Sequence, residues 1–366
     1  MSKINTDEII WDEDPLVFNF HNEIPGKVKM HTRSLDLKDW VKIDKTYPDQ
    51  MKERARLWKL YPDQIYVSQT DESAVACKWE LFEMLIEYLP ERFPYIFEKR
   101  EKCIYNKVLD EEVSTQRDDP ECPLIRAGRL TQEDWAIIEW DDEEQGYKLT
   151  SGIVYFPMRW SLQEKFQKGI AGIHIPVKPF MENLVKHVYD VFKKMLPANP
   201  LWRANWAVFN DLEGPLDLYT PLGSISRNGK NRTTVFEGDK TGKELTFRAE
   251  YQTLRKLPKT KCIVFGIRTY QRFLEEFKEF PVSDAQGLMT AIQNLNDDFV
   301  MYKGAQFWNE ATLKYLQYII DQRQKGSSGN SCRSGLTGNS WFTPVSVAIG
   351  LALTGVVIHR VFSSRT

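Results

Sequence analysis

The sequence predicts an α+β protein, an antiparallel sheet interrupted by a helical crossover and flanked in the chain by helical segments. Three observations carry this expectation. Between residues 128 and 270, segments rich in β-branched and aromatic residues occur as a pair and then as a triplet. A helix-periodic stretch separates the pair from the triplet. Apolar residues at three- and four-residue steps recur before and after the whole block, which favours a sheet packed on helices.

Each element follows in order. Residues 1–30 form an acidic extension; its opening, "MSKINTDEIIWDEDPLVFNF", lacks the apolar core of a signal peptide. Residues 31–127 read as a helical region. In "DESAVACKWELFEMLIEYLP", Val75, Trp79, Phe82, Ile86 and Leu89 share one helix face, and Pro90 is expected to stop the helix. Residues 128–270 form the sheet-bearing core. "DWAIIEW" and "YKLTSGIVYF" read as a hairpin around "DDEEQG". "SLQEKFQKG" follows as a short helix, then "GIAGIHIPV", then "KPFMENLVKHVYDVFKKML". In this last stretch Pro179 suits the first helical position, and Phe180, Leu184, Val188, Val191 and Met195 form the apolar face. "LWRANWAVF", "LTFRAEYQTL" and "KCIVFGIRTY" are the three later strands, with a Gly- and Pro-rich loop from about Leu212 to Lys243 after the first. Residues 271–323 are helical again. "SDAQGLMTAIQNL" opens with an apparent capping box, Ser283 with Gln286 three residues on, and "FWNEATLKYLQYII" is amphipathic.

The end of the chain differs from the rest. Residues 324–340 are Gly/Ser-rich and read as a linker. The 18 residues 341–358, "WFTPVSVAIGLALTGVVI", carry no charge. As a helix they would reach ~27 Å at 1.5 Å per residue, which predicts a C-terminal transmembrane helix. Such a chain would be tail-anchored with its bulk facing the cytosol. The short basic tail, with Arg360 and Arg365, leans towards the mitochondrial outer membrane or peroxisome over the endoplasmic reticulum.

Several function classes are disfavoured. A net charge of −2, with no clustered Lys and Arg, argues against a nucleic-acid partner. Cys77, Cys103, Cys122, Cys262 and Cys332 are odd in number, and no two have metal-ligand spacing, so neither a disulfide framework nor a zinc or iron–sulfur motif is expected. No GxSxG, P-loop, strand-following GxGxxG or HExxH occurs.

What remains is a set of polar strand residues and one histidine. Side chains alternate along a strand. Arg248, Glu250 and Gln252 therefore share a face of one strand, Arg203 and Asn205 of another, and Arg268 and Tyr270 of the third. Arg, Asn, Gln and Glu suit fixed, geometry-specific hydrogen bonds. A polar-lined cavity between this sheet and the segment carrying His174 is the expectation, with His187 structural.

The blocks "AGRLTQEDWAIIE", "GIVYFPMRWSLQEKFQKGIAGIHIPV", "LWRANWAVF", "FRAEYQTLRKLPKTKCIVFGIRTY" and "LDLKDWVKIDKTYPDQMKERARLW" resemble, in order and spacing, the haem-dependent oxidative N-demethylase alpha-subunit family, from about residue 30 to 305. The resemblance implies a PAS-like antiparallel core with helical N- and C-terminal additions. It implies haem b held through His174 as the metal ligand. It casts Arg203, Asn205, Arg248 and Glu250 as the catalytic wall opposite, with Glu250 also suited to a substrate ammonium, and Arg268 as a partner of a haem propionate or part of a structural ion pair. The implied reaction oxidises a small methylated amine with O2, releasing formaldehyde, with electrons from partner chains that carry flavin and an iron–sulfur centre. The acidic extension and uncharged tail depart from the soluble pattern. A haem-based gas or redox sensor and a non-catalytic scaffold are the alternatives.

Overall fold

The five strands expected between residues 128 and 270 all form in the computed structural model, which describes residues 9–12, 30–157, 160–175, 184–210 and 233–330. They are β6 (Glu133–Asp141), β7 (Gly146–Ile153), β8 (Leu201–Phe209), β9 (Thr246–Lys256) and β10 (Ile263–Phe273). Two short strands from the segment expected to be helical extend the sheet: β1 (Arg33–Ser34) on β8 and β2 (Tyr66–Ser68) on β7. The order is β1-β8-β9-β10-β6-β7-β2, antiparallel throughout. A second sheet of three strands, β3 (Phe97–Lys99), β4 (Cys103–Asn106) and β5 (Glu111–Ser114), forms in the same N-terminal region.

The expected fold class is corrected in two respects. The sheet has seven strands and a three-stranded companion, where a five-stranded PAS-like core was expected. Strands of two to four residues are too short for period-2 alternation to show in a sequence. The transmembrane helix has no support: among the described residues no helix is long and apolar enough to cross a membrane. Residues 341–358 themselves lie outside the described residues, as do most of the linker and of the N-terminal extension. That expectation rested on length at the lower limit for a ~30 Å hydrocarbon core, in a run that also carries Pro344, Gly350 and Gly355.

The chain divides into two units, Met1–Arg323 and Gln324–Thr366. Of the second unit only the end of one helix, through Asn330, is described. In the first, the helices are α1 (Tyr47–Leu60), α2 (Pro62–Ile65), α3 (Glu72–Arg92), α4 (Pro123–Leu130), α5 (Leu162–Lys165), α6 (Ile170–Ile173), α7 (Val185–Lys194), α8 (Asp239–Glu244), α9 (Val282–Gln293) and α10 (Asp297–Lys303); α11 (Asn309–Asn330) begins in it. Asp71 starts α3 by accepting from Ala74 N. The helix runs two residues past Pro90, which lies in its last turn, where the missing N–H removes a single backbone bond. The expected capping box at Ser283 does not form: α9 starts at Val282, with no side-chain cap.

Register sorts the sheet into two faces. Arg203 stands opposite Gln252, Asn205 opposite Glu250, Glu250 opposite Thr269, and Leu254 opposite Leu201 and Phe265. Directly opposed residues share a face. On this face the crossover from β7 to β8 packs through Leu162, Ile170, Leu184, Val188, Phe192 and Met195 against Ala136, Ile138, Leu149, Leu254 and Ile263. The other face carries Trp135, Tyr251, Val264 and Tyr270 into the core formed with α1, α3, α4, α9 and α11. Gly266 sits at the centre of that face, where a Cβ would meet Thr253 Oγ1 and the Trp135 ring, each at 2.7 Å.

Candidate functional site

The crossover face is apolar at one end and polar at the other. Leu201, Leu254, Ile263 and Phe265 line the first half. Arg203, Asn205, Gln252, Glu250, Arg248 and Thr269 line the second. Four of the expected site residues are thus brought to one face of two adjacent strands.

Glu250 is the centre of the polar half, and both it and Arg248 are buried. Its Oε1 accepts from Arg248 Nε at 3.2 Å and Nη2 at 3.0 Å; its Oε2 accepts from Gln252 Nε2 at 2.8 Å and Asn205 Nδ2 at 3.3 Å. A carboxylate offers about four lone-pair sites, so these bonds saturate it. Arg248 also donates to Thr269 Oγ1 at 3.2 Å and to the Phe156 carbonyl. The backbone there is held by Asp134, whose oxygens accept from Tyr155 N and Phe156 N at 2.9 and 3.0 Å. Three strands and the start of the crossover therefore fix one ion pair.

His174 is positioned by backbone bonds to the sheet. Leu149 N donates to Lys168 O and Gln167 N to Leu149 O, tying the crossover to β7 just ahead of α6. Ile170 buries its side chain in the apolar half, and His174 closes the single turn that follows. His174 Nδ1 lies 2.8 Å from Ile170 O. A carbonyl only accepts, so Nδ1 carries the proton and the neutral ring has its lone pair on Nε2. Burial, reinforced by the charges of Lys165 and Arg203 and opposed by the Ile170 bond, lowers its pKa to about 4. The ring is thus neutral at neutral pH, beside Arg203, between the apolar and polar halves.

Tyr302 on α10, which the sequence did not single out, belongs to the same neighbourhood. Its pKa is raised by burial and by the charge of Glu250, with Arg203 opposing, yet its side chain is 45% accessible. Tyr302 therefore places an exposed phenol within reach of the charges of Glu250 and Arg203. Lys303 next to it donates to Trp206 O at 2.7 Å, docking α10 on β8.

Arg268 is not part of this arrangement. It pairs in register with Tyr251 and Glu133, on the opposite face. There its Nη2 donates to Asp44 Oδ2 at 2.6 Å, with both side chains buried. Burial raises the Asp44 pKa, but Arg268 and Thr46 outweigh it and hold the carboxyl below its ordinary value. Of the two roles expected for Arg268, the structure contains the ion pair.

The pattern of one family matches residues 31–313; it is described as haem-dependent oxidative N-demethylase, alpha subunit-like. The chain belongs to that family. Membership implies dependence on haem, and the residues of the crossover face suit that group. An imidazole with its lone pair on Nε2 can ligate iron, the apolar half can cover a porphyrin, and the polar half can face its reacting side. Among the described residues no group of three or more His, Cys, Asp or Glu side chains could hold a bare metal ion. The family's match ends before the uncharged C-terminal run and starts after the acidic extension.

Proposed function

We propose that this protein is a haem-dependent mono-oxygenase that removes a methyl group from a small N-methylated amine. The reading is carried by the place of His174, a neutral imidazole beside Arg203 at the junction of the apolar and polar halves. It is supported by membership of the family. His174 holds the iron of haem b. Bound haem supplies the redox chemistry, in which the amine, O2, two electrons and two protons give the demethylated amine, formaldehyde and water.

The chain's own residues prepare the site for that chemistry. The Ile170 carbonyl holds the His174 tautomer and ring orientation, the role that partners of metal-ligating histidines fill generally. Arg203 and the Asn205 amide put positive charge and a donor on the wall where negative charge develops. Glu250 keeps Arg248, Asn205 and Gln252 oriented, and its charge favours a cationic amine nearby. Because its oxygens are saturated, it acts through this field and not as a direct ligand. Electrons come from a separate reductase with flavin and an iron–sulfur centre.

The test is reconstitution of the full chain with haem, followed by absorption spectra with and without secondary and tertiary methylamines. Formaldehyde is then measured under O2 with a flavin/iron–sulfur reductase. A stoichiometric Soret band, an amine-induced shift and formaldehyde release are expected. Haem uptake with no formaldehyde from any amine would replace this reading with that of a sensor, and absence of haem uptake would remove both.

A further inference from the structure

Lys165, the last residue of α5, is half-buried near His174, and its charge reaches the imidazole. Its ammonium donates one hydrogen bond, to the Ile173 carbonyl. No carboxylate pairs with it among the described residues, and the adjacent Glu164 side chain is exposed. Burial and the neighbouring charge of Lys168 disfavour its protonated form, and the charge of Glu164 opposes them only in part. Two comparable lysines of this chain are better satisfied. Lys148 on β7 holds Asp141 and Glu144 at 2.8 Å each, and Lys78 has two oxygen acceptors, Ser68 Oγ and Gln69 O. Lys165 has three N–H donors and spends one, in a neighbourhood that already holds Lys168 and Arg203. A half-buried ammonium among other cations, with donors to spare, is stabilised by a nearby anion, so this place favours one.

We infer that Lys165 is the seat of a carboxylate belonging to the ligand that lies against His174. The inference rests on the haem reading above, and on that reading the carboxylate is a propionate of the porphyrin. A flexible ammonium with two donors to spare suits a propionate, which is itself on a flexible stem. The bond to Ile173 O holds the lysine stem along the turn that ends at His174, so one short segment presents both the iron ligand and the anion partner.

Titration of the full-length apoprotein with haem and with haem dimethyl ester, followed at the Soret band, tests this. Wild type is expected to bind haem more tightly than the diester. Lys165→Met should weaken haem binding roughly 10–100-fold, the loss of one charge-assisted hydrogen bond, and leave diester binding unchanged. Lys165→Arg should keep most of the affinity for haem. Thermal melts of the apo variants check that each is folded. Equal weakening towards haem and diester would overturn the inference, because Lys165 would then only brace the His174 turn through Ile173. An unchanged haem affinity in Lys165→Met would overturn it as well. A wild-type chain that takes up neither compound would instead remove the haem reading on which the inference stands.

Discussion

Strands β9 and β10 carry a buried arginine–carboxylate pair on each face, and the two pairs have different surroundings. Arg268 and Asp44 lie against α1 and the segment before it, among Thr46, Gln132, Gln50 and Glu133, all but Thr46 fully enclosed. Arg248 and Glu250 are just as buried, yet their neighbours Arg203 and Asn205 are only half-buried and Tyr302 is open to solvent. The chemistry of the two pairs is alike, so the pair alone does not mark a site. What distinguishes them is whether the hydrogen-bond network ends in packed core or at an accessible wall with a neutral imidazole beside it.

Four measurements test this contrast. The largest effect is expected at His174. His174→Ala should abolish the Soret band of the reconstituted protein while circular dichroism stays that of the wild type, because the residue is half-buried and ends a single short turn. Retained stoichiometric haem would break the contrast at its functional end. The next largest belongs to the enclosed pair. Arg268→Met leaves Asp44 charged and buried and should cost about 3–5 kcal/mol of stability by urea unfolding, with haem affinity of the folded fraction unchanged.

Glu133 sharpens the enclosed side through pH. Burial pushes its carboxyl from an ordinary 4.5 up to about 7, against the opposing effects of the Lys42 amide and of Arg268. The folded state therefore holds this proton more tightly than the unfolded one. Its contribution is fully present below pH 4.5, is lost as pH rises to about 7, and is constant above that. Glu133→Gln should remove this decline and, at pH 8, be more stable than wild type by on the order of 3 kcal/mol. Parallel pH–stability curves for the two proteins would refute it. The smallest effect on ligand binding is expected for Glu250→Gln, which keeps the shape and removes the charge. Arg248 is then buried without its carboxylate, and the fold loses stability as it does at Arg268. Haem binding should persist, and amine affinity should fall by roughly tenfold at most, since a through-space attraction on the order of 1 kcal/mol is lost and no hydrogen bond. A fall of a thousandfold would show direct contact with the amine.

The sequence made some of this legible and not the rest, for physical reasons. Strands of eight to eleven residues such as β7, β9 and β10 show their alternation plainly, and alternation alone puts Arg248, Glu250 and Gln252 on one face. It does not set the phase between strands. Residues 257–262 between β9 and β10 place Arg268 opposite Tyr251 and not opposite Glu250, and that turn decides which face Arg268 joins. The strands at Arg33 and Tyr66 contribute two and three residues and owe their existence to the edges that receive them. Tyr302 reaches the site because α10 docks through Lys303, a tertiary contact with no local signature.

β7 and β8 follow one another in the chain but are separated in the sheet by β6, β10 and β9, a gap of four strand spacings or ~19 Å at ~4.8 Å each. The crossover has to traverse that distance, so neither the β6–β7 hairpin nor the β8–β9–β10 meander can assemble the His174 neighbourhood alone. The two halves meet only when β10 pairs with β6, a closure between segments far apart in the chain that carries a large entropic cost before any contact repays it. Order of assembly follows from this. The pairing of β10 with β6 therefore has to precede the completion of the His174 neighbourhood, and folding of the sheet precedes any loading of the site.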